Sequence, residues 1–545
     1  MAFSSEQSGS TDIATITVDA VVVGAGFSGL YMTHRLKHHG LTVVGIDAGS
    51  DVGGTWHWNK YPGVRTDSEA SFYAYTLNEE MSQHDWDYSE KFPPGHEVES
   101  YLKRVADRFD LRGNYRFSTT VVSADYSESD KRWMIRTDDG GRLEAKYFIS
   151  AAGILSAPID PGYPGIDSFR GTAIHASRWP EGGIECRGKR VAVVGTGSTG
   201  VQLVPALAES AESVVVFQRT PNYVLPSPNE ALGGGAQTMR HDGLAGTRHG
   251  IRESSLGMPY TSSGRLAMDV SDEEREAVFE EGWANGGFRF LVETFDDLWV
   301  NPDANYAAAE FIRNKIRGIV KDPKTAELLC PDYPYGVKRP AQGIEFYEAF
   351  NRDNVHLVDI KSAPITDITP DGIRTTGGKY DVDVIIFAVG YDAAGGAVTR
   401  MNVTGRGGVR LDDKWAEGLR TYLGMTVSGF PNFFMILGPQ APTGNMPSVS
   451  EGQGDWIARI IAEAEANGAN EIEALESAED DWSQHVSEVA NMTLVPQGSK
   501  VNSWFVGANV KGKAESIVIY LGGYKPFFDR SDQVADAGFE GLKIS

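Results

Sequence analysis

The sequence that decides the fold lies near the N-terminus and reads Ala20-Val21-Val22-Val23-Gly24-Ala25-Gly26-Phe27-Ser28-Gly29. Its β-branched residues predict a buried strand that runs directly into the pattern G-x-G-x-x-G. Apolar side chains at helical spacing then predict a helix that Gly40 ends, and a second strand, 41–46, follows and stops at Asp47. A glycine-rich turn alone is often only a tight connection. The complete series of strand, turn, helix, strand and acid instead predicts a dinucleotide site, in which glycines let the backbone approach a pyrophosphate and the acid accepts hydrogen bonds from ribose hydroxyls. The expected contacts are Gly24, Gly26, Gly29 and Asp47.

A second unit of the same kind follows a further β-branched run, 191–194. The residues expected at its nucleotide are Gly195, Thr196, Gly197, Ser198, Thr199, Gly200 and Gln202. The position that corresponds to Asp47 is Gln218 here, and Arg219 and Thr220 follow it. A carboxylate would repel a ribose phosphate, whereas Arg219 can pair with it, so this site should prefer NADPH to NADH. The first site then suits FAD. The alternative is that Arg219 is only a solvated charge after a strand.

Two dinucleotide units in one chain indicate electron transfer from NADPH to FAD and then to a final acceptor. A disulfide acceptor would need a close cysteine pair, but Cys186 and Cys330 lie far apart in the sequence and neither belongs to a C-x-x-C motif. No cluster of His and Cys residues has metal-ligand spacing, so we expect no metal site. Dioxygen is the simplest remaining acceptor.

The composition is that of a globular protein, with 74 acidic against 50 basic residues and a net charge of −24. This charge would repel nucleic acid and anionic membrane surfaces, so we expect neither as a partner and favour a small neutral substrate. No apolar run is long enough to span a bilayer, and the polar start of the chain lacks the features of a secretory signal. Because the chain has only two cysteines, we expect a cytoplasmic protein, and we expect a monomer or a weak homo-oligomer.

A chain of 545 residues is too long for a single core. We predict an α/β fold with two Rossmann-like dinucleotide-binding domains and a helical insertion in the NADP-binding domain. The insertion is expected where the sequence departs from the nucleotide pattern and contains helical stretches such as 272–281. After a disordered N-terminal tail (1–17), the predicted division is a first segment of the FAD-binding domain (18–155), a first segment of the NADP-binding domain (156–224), the helical insertion (225–328), a second segment of the NADP-binding domain (329–390) and a second segment of the FAD-binding domain (391–545).

A more specific pattern lies between the two nucleotide units. It has the form F-x-G-x-x-x-H-x-x-x-W-P, and its specified positions are Phe169, Gly171, His175, Trp179 and Pro180. This pattern resembles the fingerprint of the flavin-dependent Baeyer–Villiger monooxygenases. In that family the segment links the domains and has a conformational role rather than a direct chemical one. The alternative interpretation of His175 and Trp179 is an interdomain packing cluster.

The resemblance implies the roles of further residues. It places Gly54, Thr55, Trp56, Asp67 and Tyr73 against FAD, and Lys338 and Trp504 at NADPH. It also makes Arg339 the active-site arginine, with Asp67 as the residue that orients it. A guanidinium suits this role because the oxidant of the family is a flavin peroxide anion, whose negative charge must be held near the flavin. Without the resemblance, the aromatic residues could be ordinary core residues, and Lys338 and Arg339 could be a pair of surface charges.

The resemblance further implies a reaction in which a ketone is converted to an ester or a lactone with O2 and NADPH, through a flavin peroxide. The loop 438–447 is similar to the shorter loop of cyclohexanone-type relatives, which favours an alkyl or cyclic ketone. Two alternatives remain at this point. One is a flavin monooxygenase that oxygenates nitrogen or sulfur, and the other is a redox sensor that binds flavin and NADP without turnover.

Overall fold

A computed structural model describes residues 15–82, 88–233 and 239–545 of the chain. Within these ranges the strands, β1 to β20 in chain order, are Ile16–Val23, Val43–Ile46, Tyr115–Arg116, Val121–Ser127, Arg132–Thr137, Arg142–Ser150, Thr172–His175, Arg190–Val194, Ser213–Gln218, Val224–Pro226, Ala341–Gly343, Val355–Asp359, Ile365–Thr369, Gly372–Thr375, Gly378–Asp381, Val384–Phe387, Val403–Thr404, Phe433–Met435, Ile472–Ala474 and Leu542–Ile544.

The α-helices of the same ranges, α1 to α16, are Phe27–His38, Thr55–Trp58, Glu79–Ser82, Gly95–Arg108, Ser198–Ala208, Met239–Glu253, Asp272–Asn285, Arg289–Glu293, Pro302–Ile319, Pro323–Leu329, Phe346–Ala349, Gly396–Thr399, Leu411–Lys414, Met446–Ala466, Glu476–Asn491 and Tyr524–Asp536. Short 3₁₀ helices cover Arg112–Asn114, Ile166–Ser168, Ala176–Arg178, Ala267–Asp269, Arg406–Gly408, Val495–Val501 and Trp504–Val506. Among the residues that the structure describes, no helix has both the length and the apolar character needed to cross a membrane.

The first sheet is built around β1, the strand that the opening motif predicts. Its order is β17-β4-β5-β6-β1-β2-β3, and β18 also pairs with β6. β1 is parallel to both of its neighbours, with Val21 opposite Val44 on one side and Phe148 on the other. Val21 is fully buried because helices and further strands cover both faces of the sheet, which is the environment that parallel strands require. β2 begins at Val43, two residues later than expected, because Thr42 is held by hydrogen bonds to the Asp19 carboxylate.

The second sheet has the order β12-β9-β8-β16-β7, and all of its strands are parallel. The glycine turn 195–200 connects β8 to α5, and the turn after β1 leads into α1 in the same way. The predicted α/β fold with two Rossmann-like units is therefore confirmed. Because nucleotides bind at the carboxyl ends of parallel strands, the two turns mark the two sites.

The chain passes twice between the sheets. β12 and β16 join the second sheet after the insertion, and β17 and β18 return to β4 and β6 of the first. Between 225 and 328 the structure has mainly helices, although β10 covers Val224–Pro226 and α10 extends to Leu329. The predicted disordered tail is wrong for Ile16 and Thr17, which belong to β1 because they pair with β6, whereas residues 1–14 lie outside the described residues. The other domain boundaries stay predictions.

The helical insertion shares a core with the second sheet. Phe279 and Phe311 of the insertion belong to the same buried cluster as Val193 and Val216 of the sheet. Other residues of the insertion, such as Met258 and Val292, belong to the buried cluster of the first sheet, so apolar packing anchors the insertion to both sheets.

Candidate active site

A cavity of about 880 Å³ lies where the two glycine turns meet. This volume is at the upper end of the usual range for ligand sites, roughly 300 to 1,000 Å³. The residues named in the sequence analysis that line it are Gly24, Gly26, Asp47, Gly54, Thr55, Trp56, Asp67, Tyr73, Gly195, Thr196, Gly197, Ser198, Thr199, Gln202, Arg219, Thr220, Lys338, Arg339 and Trp504. Gly29, Gly200 and the five fingerprint residues lie outside its lining.

The two turns have nearly the same backbone. Gly24 has φ +115° and Gly195 has φ +114°, in the region that favours glycine. A Cβ atom at Gly24 would lie 2.3 Å from the carbonyl oxygen of Ala151, and one at Gly195 would lie 2.4 Å from that of Ala388. A Cβ atom at Gly197 would instead meet nothing within 4 Å. The open space at the N-terminus of α5 therefore fits the pyrophosphate of a dinucleotide.

The third glycine of each motif has a packing role. A Cβ atom at Gly29 would lie 1.7 Å from the carbonyl oxygen of Gly24, and one at Gly200 would lie 2.1 Å from that of Gly195. Each helix therefore packs directly on its own turn, as the dinucleotide motif requires. This explains why both residues are needed although neither lines the cavity.

Asp47 directly follows β2 and holds the first turn. Its two carboxylate oxygens accept hydrogen bonds from the backbone N–H groups of Ala25 and Gly49, each at 2.6 Å. Burial raises the pKa of Asp47, and the two N–H donors oppose that shift. Each oxygen has a further lone pair, so the carboxylate can also accept from ribose hydroxyls.

Two cations lie together at the second turn. Burial, and secondarily the positive charge of Arg219, lower the pKa of Lys338 to about 8. The two side chains are thus close enough to repel each other, which is the arrangement that a bound phosphate would relieve. Thr220 lies beside them, and its carbonyl oxygen accepts from the Thr196 hydroxyl at 3.3 Å.

Gln202 connects the second unit to the loop that follows α2. Its carbonyl oxygen accepts from the Tyr61 hydroxyl at 3.0 Å, and its amide donates to the carbonyl oxygen of Arg65 at 3.1 Å. Gln202 was expected to contact NADP, and it does line the cavity, but its amide also joins the two nucleotide-binding sides.

Asp67 and Arg339 form an ion pair inside the cavity. The Arg339 guanidinium also donates to the Ser198 hydroxyl at 3.4 Å and lies 5.2 Å from the centre of the Phe288 ring. Both charged side chains are only about a quarter exposed, at 28% for Arg339 and 27% for Asp67. Burial, and then the charge of Asp67, raise the pKa of Tyr73, so this hydroxyl stays protonated. The arrangement presents a fixed positive group with free N–H donors at the junction of the two sites.

Aromatic residues of the C-terminal segment and of the flavin loop (residues 53–63, which the resemblance places against FAD) line the same cavity. Trp56 belongs to α2, and its ring meets that of Tyr73 edge-on, with centroids 5.6 Å apart. Trp504 begins a 3₁₀ helix and packs against Phe505 at 4.6 Å. Both tryptophans also line the cavity, so they are not purely core residues.

The fingerprint segment connects the second sheet to the flavin loop. Gly171 lies before β7, and a Cβ atom there would be 2.2 Å from the carbonyl oxygen of Asp383. The His175 ring contacts Tyr391, whose hydroxyl donates to Asn59 of the flavin loop at 2.8 Å. Burial lowers the pKa of His175, so this imidazole is neutral at neutral pH. The segment thus connects the second sheet to the flavin loop, and its residue Arg178, which the fingerprint does not specify, lines the cavity.

The other fingerprint residues are placed around this link. Phe169 packs on the core of the second sheet, Trp179 is buried with the insertion's core, and Pro180 is exposed. Arg178, which the fingerprint does not specify, lies over the Trp58 ring at 4.6 Å. These contacts support the interpretation as an interdomain linker.

Sequence reasoning missed the apolar wall of the cavity. Its members are Leu256, Met258, Phe288 and Leu291 from the insertion and Leu437 and Met446 from the C-terminal region. Apolar residues in helices and loops indicate burial but not which surface they face, so the sequence alone carried no signal for these side chains. Only the loop 438–447, singled out for its length, pointed to this region.

Paired dinucleotide turns, two sheets built around parallel strands and a partly buried arginine between the turns are the features of a flavin- and NADP-binding monooxygenase. Residues 18–232 match the family model described as flavin-binding monooxygenase-like. A Baeyer–Villiger monooxygenase of Pseudooceanicola batsensis is 42% identical over 530 residues, which cover 96% of each chain. A solved structure of cyclohexanone monooxygenase from Rhodococcus sp. Phi1 bound to NADP+ superimposes with a TM-score of 0.94 at 41% identity, covering 98% of this chain and all of that one.

The chain therefore belongs to the Baeyer–Villiger monooxygenases, and its cofactors are FAD and NADPH. A phenazine N-monooxygenase of Lysobacter antibioticus is 40% identical over 527 residues, covering 96% of each chain. Similarity over the whole chain consequently does not by itself separate oxidation of carbon from oxidation of nitrogen.

Proposed function

We propose that the enzyme converts an alkyl or cyclic ketone to its ester or lactone, with Arg339 as the catalytic arginine and Asp67 as the residue that orients it. The observation that carries the proposal is the Asp67–Arg339 ion pair, which lies in the cavity between both glycine turns and beside an apolar wall. Dioxygen is the proposed co-substrate, because two dinucleotides need a final electron acceptor.

FAD, when bound, accepts a hydride from NADPH and passes the electrons to dioxygen. The residues of the chain then act by position and charge. Arg339 would hold the negative charge that develops on oxygen as the ketone reacts, and one preorganised donor to such a charge is typically worth about 3 to 4 kcal/mol. Asp67 keeps the guanidinium in the cavity, and the protonated Tyr73 beside it adds no competing charge.

For FAD we propose Gly24, Gly26, Gly29, Asp47, Gly54, Thr55, Trp56, Asp67 and Tyr73. For NADPH we propose Gly195, Thr196, Gly197, Ser198, Thr199, Gly200, Gln202, Arg219, Thr220, Lys338 and Trp504. The support for this division is the pair of cations near Thr220, which suits the phosphate that distinguishes NADPH from NADH, whereas Asp47 suits an unphosphorylated ribose.

The proposed substrate class rests on the apolar wall and on the name of a relative. Leu437, Met446 and Phe288 offer hydrocarbon surface, so a neutral ketone with an alkyl or ring body fits against them. The solved relative is named for cyclohexanone.

Arg339→Ala tests the catalytic role. We expect the variant to keep bound flavin and to lose ester formation by at least about 100-fold, which is the usual effect of removing one preorganised donor. Arg374→Ala, at a half-exposed arginine outside the cavity, is the control and should behave as the parent enzyme. Ester formation by Arg339→Ala at a near-normal rate would remove Arg339 from its role.

A substrate panel separates the proposed reaction from its alternatives. Linear, cyclic and aryl ketones, amines, sulfides and a phenazine are compared by NADPH consumption and product identification. Efficient oxygenation of the nitrogen compounds without any ester from ketones would replace the ketone proposal by N-oxygenation. Oxygen uptake that never depends on an added substrate would favour a redox sensor.

We also propose that the protein acts in the cytoplasm as a monomer or a weak homo-oligomer. Both of its cysteines, Cys186 and Cys330, are free thiols, as is usual in a reducing compartment. Light scattering across a concentration series checks the oligomeric state.

A further inference from the structure

The helical insertion is joined to the Asp67 loop by a group of polar side chains that the sequence analysis did not single out. Arg289 donates to both carboxylate oxygens of Glu69, from Nε at 2.9 Å and from Nη2 at 3.3 Å. The Tyr260 hydroxyl donates to the same carboxylate at 3.2 Å, and its ring lies 4.4 Å from the Arg289 guanidinium. The Glu69 side chain is only 12% exposed. This is a shielded two-point ion pair, which is stronger and more directional than an exposed one.

Gln342 makes a second connection between the same two segments. It is 3% exposed in β11, shortly after Arg339. With its amide oriented to satisfy both neighbours, it donates to the carbonyl oxygen of Asp67 at 3.0 Å and accepts from the backbone N–H of Phe288 at 3.3 Å. We call Glu69, Tyr260, Arg289 and Gln342 the insertion clamp.

The clamp acts on the two groups that contact the catalytic arginine. Glu69 lies two residues after Asp67, the ion-pair partner of Arg339, and Arg289 directly follows Phe288, whose ring lies under the guanidinium. Fixing these two segments against each other therefore fixes both sides of the Arg339 side chain. It also holds the insertion's share of the apolar wall over the cavity.

We propose that Glu69, Arg289 and Gln342 are positioning residues, which clamp the insertion to the Asp67 loop and thereby set the place of the Arg339 guanidinium. The inference rests on the proposed role of Arg339. It predicts that, without the clamp, the enzyme consumes NADPH but forms less ester, because a displacement of about 1 Å in a reacting group can lower the rate about 100-fold. Arg339 is proposed to act on the charge that develops on oxygen, after hydride transfer from NADPH to FAD, so we expect the rate of flavin reduction to be unaffected.

The variants are Arg289→Met, Glu69→Gln, the two combined, and Gln342→Met. Methionine keeps much of the length and apolar bulk of arginine and glutamine while it removes their hydrogen bonds. Arg313→Met is the matched control, because Arg313 pairs with Glu310 at 2.8 Å within the same insertion but does not line the cavity. Holoenzyme is compared in every case, and Arg289→Lys serves as a milder substitute where Arg289→Met folds poorly.

Three measurements are made on each variant. They are the fraction of consumed NADPH that appears as ester rather than as hydrogen peroxide, the anaerobic rate of flavin reduction, and hydrogen–deuterium exchange in residues 64–76 and 255–295. We expect ester formation to fall about 10- to 100-fold in the clamp variants, with unchanged flavin reduction and faster exchange in both segments. The loss in the combined variant should equal that of Arg289→Met and fall short of the sum of the two single losses, because Arg289→Met removes the Glu69 pair as well as the pair with Glu293 at 2.9 Å.

The proposal would be overturned if hydrogen–deuterium exchange became faster while the fraction of NADPH that yields ester stayed the same. The clamp would then hold the insertion without positioning Arg339. An equal loss in Arg313→Met would also overturn it, because any weakening of the insertion would suffice. If Arg339→Ala itself keeps ester formation, the proposed function fails, and the exchange data still show whether the clamp joins the two segments.

Discussion

The charge of Lys338 should set the pH range in which the enzyme binds NADPH. Burial and the neighbouring Arg219 lower the pKa of this lysine to about 8, so the free enzyme loses the charge as the pH rises through that value. The phosphate of NADPH carries its second negative charge only above about pH 6. Affinity should therefore be highest between about pH 6 and pH 8 and should fall above that range, by at most about tenfold per pH unit.

The size of the effect follows from the contacts at stake. A hydrogen bond to a charged group contributes about 1.5 to 3 kcal/mol, which corresponds to roughly 10- to 150-fold in affinity. Arg219→Ala should lose that much for NADPH at pH 7. It should also move the alkaline fall in affinity to higher pH, because removal of one positive charge raises the pKa of Lys338.

The assay is the dissociation constant of NADP+, measured by calorimetry from pH 6 to pH 10, together with Michaelis constants for NADPH and NADH. Lys338→Arg should flatten the profile above pH 8, since arginine keeps its charge throughout this range. NADH is the internal control because it lacks the phosphate. The reasoning would be refuted if the affinity for NADH fell in the same way above pH 8. It would also be refuted if the affinity of Lys338→Arg for NADP+ still fell above pH 8.

Two further predictions concern a turn and a buried acid. Gly197→Ala should fold normally, because the added Cβ atom meets nothing within 4 Å, but it should bind NADP+ more weakly. Gly195→Ala should express poorly, because the added Cβ atom would lie 2.4 Å from the Ala388 carbonyl oxygen and the backbone there is left-handed. Burial raises the pKa of Glu451 to about 8 from an ordinary 4.5. Its protonated form therefore stabilises the fold fully below about pH 4.5 and loses that effect as the pH rises through 8, with a slope of at most about 1.4 kcal/mol per pH unit. Urea unfolding from pH 4 to 9 should show this slope, and Glu451→Gln should flatten it.

The nucleotide turns could be predicted from the sequence because the residues that form each turn lie close together along the chain. A left-handed glycine after a buried strand, an open position at a helix N-terminus and an acid after the next strand all lie within about 25 residues, as the motif requires. Arg219 could be interpreted from its position alone, since it directly follows the position at which the first unit has its acid. The strand and helix bounds then differed from expectation by only a few residues.

The pair at the centre of the site was not predictable in that way. Asp67 and Arg339 are separated by 272 positions, and neither lies in a local pattern that marks a catalytic group. Only resemblance to a family connected them. The clamp was even less predictable from the sequence. Glu69 and Arg289 are 220 positions apart, and each of them alone is typical of an ordinary solvated charge. Which charges meet depends on how the insertion folds over the cavity, and apolar periodicity predicts its helices without fixing their placement.

The loop after α2 explains why nucleotide binding and the catalytic pair are mechanically connected. Tyr61 of this loop is hydrogen-bonded to Gln202 of α5, and Asn59 to Tyr391, which follows β16 of the second sheet. The same loop leads to Asp67, so a shift of the NADP-binding side relative to the first sheet is transmitted through these hydrogen bonds to the partner of the catalytic arginine. Hydrogen bonds between domains break and re-form at a lower free-energy cost than a buried apolar interface, so they favour relative motion of the domains. The insertion packs on both sides, with Phe279 and Phe311 in the apolar core of the second sheet and Met258 and Val292 in that of the first. Because α8, which carries Arg289, packs on both cores through Phe290 and Val292, a rotation between the sheets would act on the insertion clamp and through it on the position of Arg339.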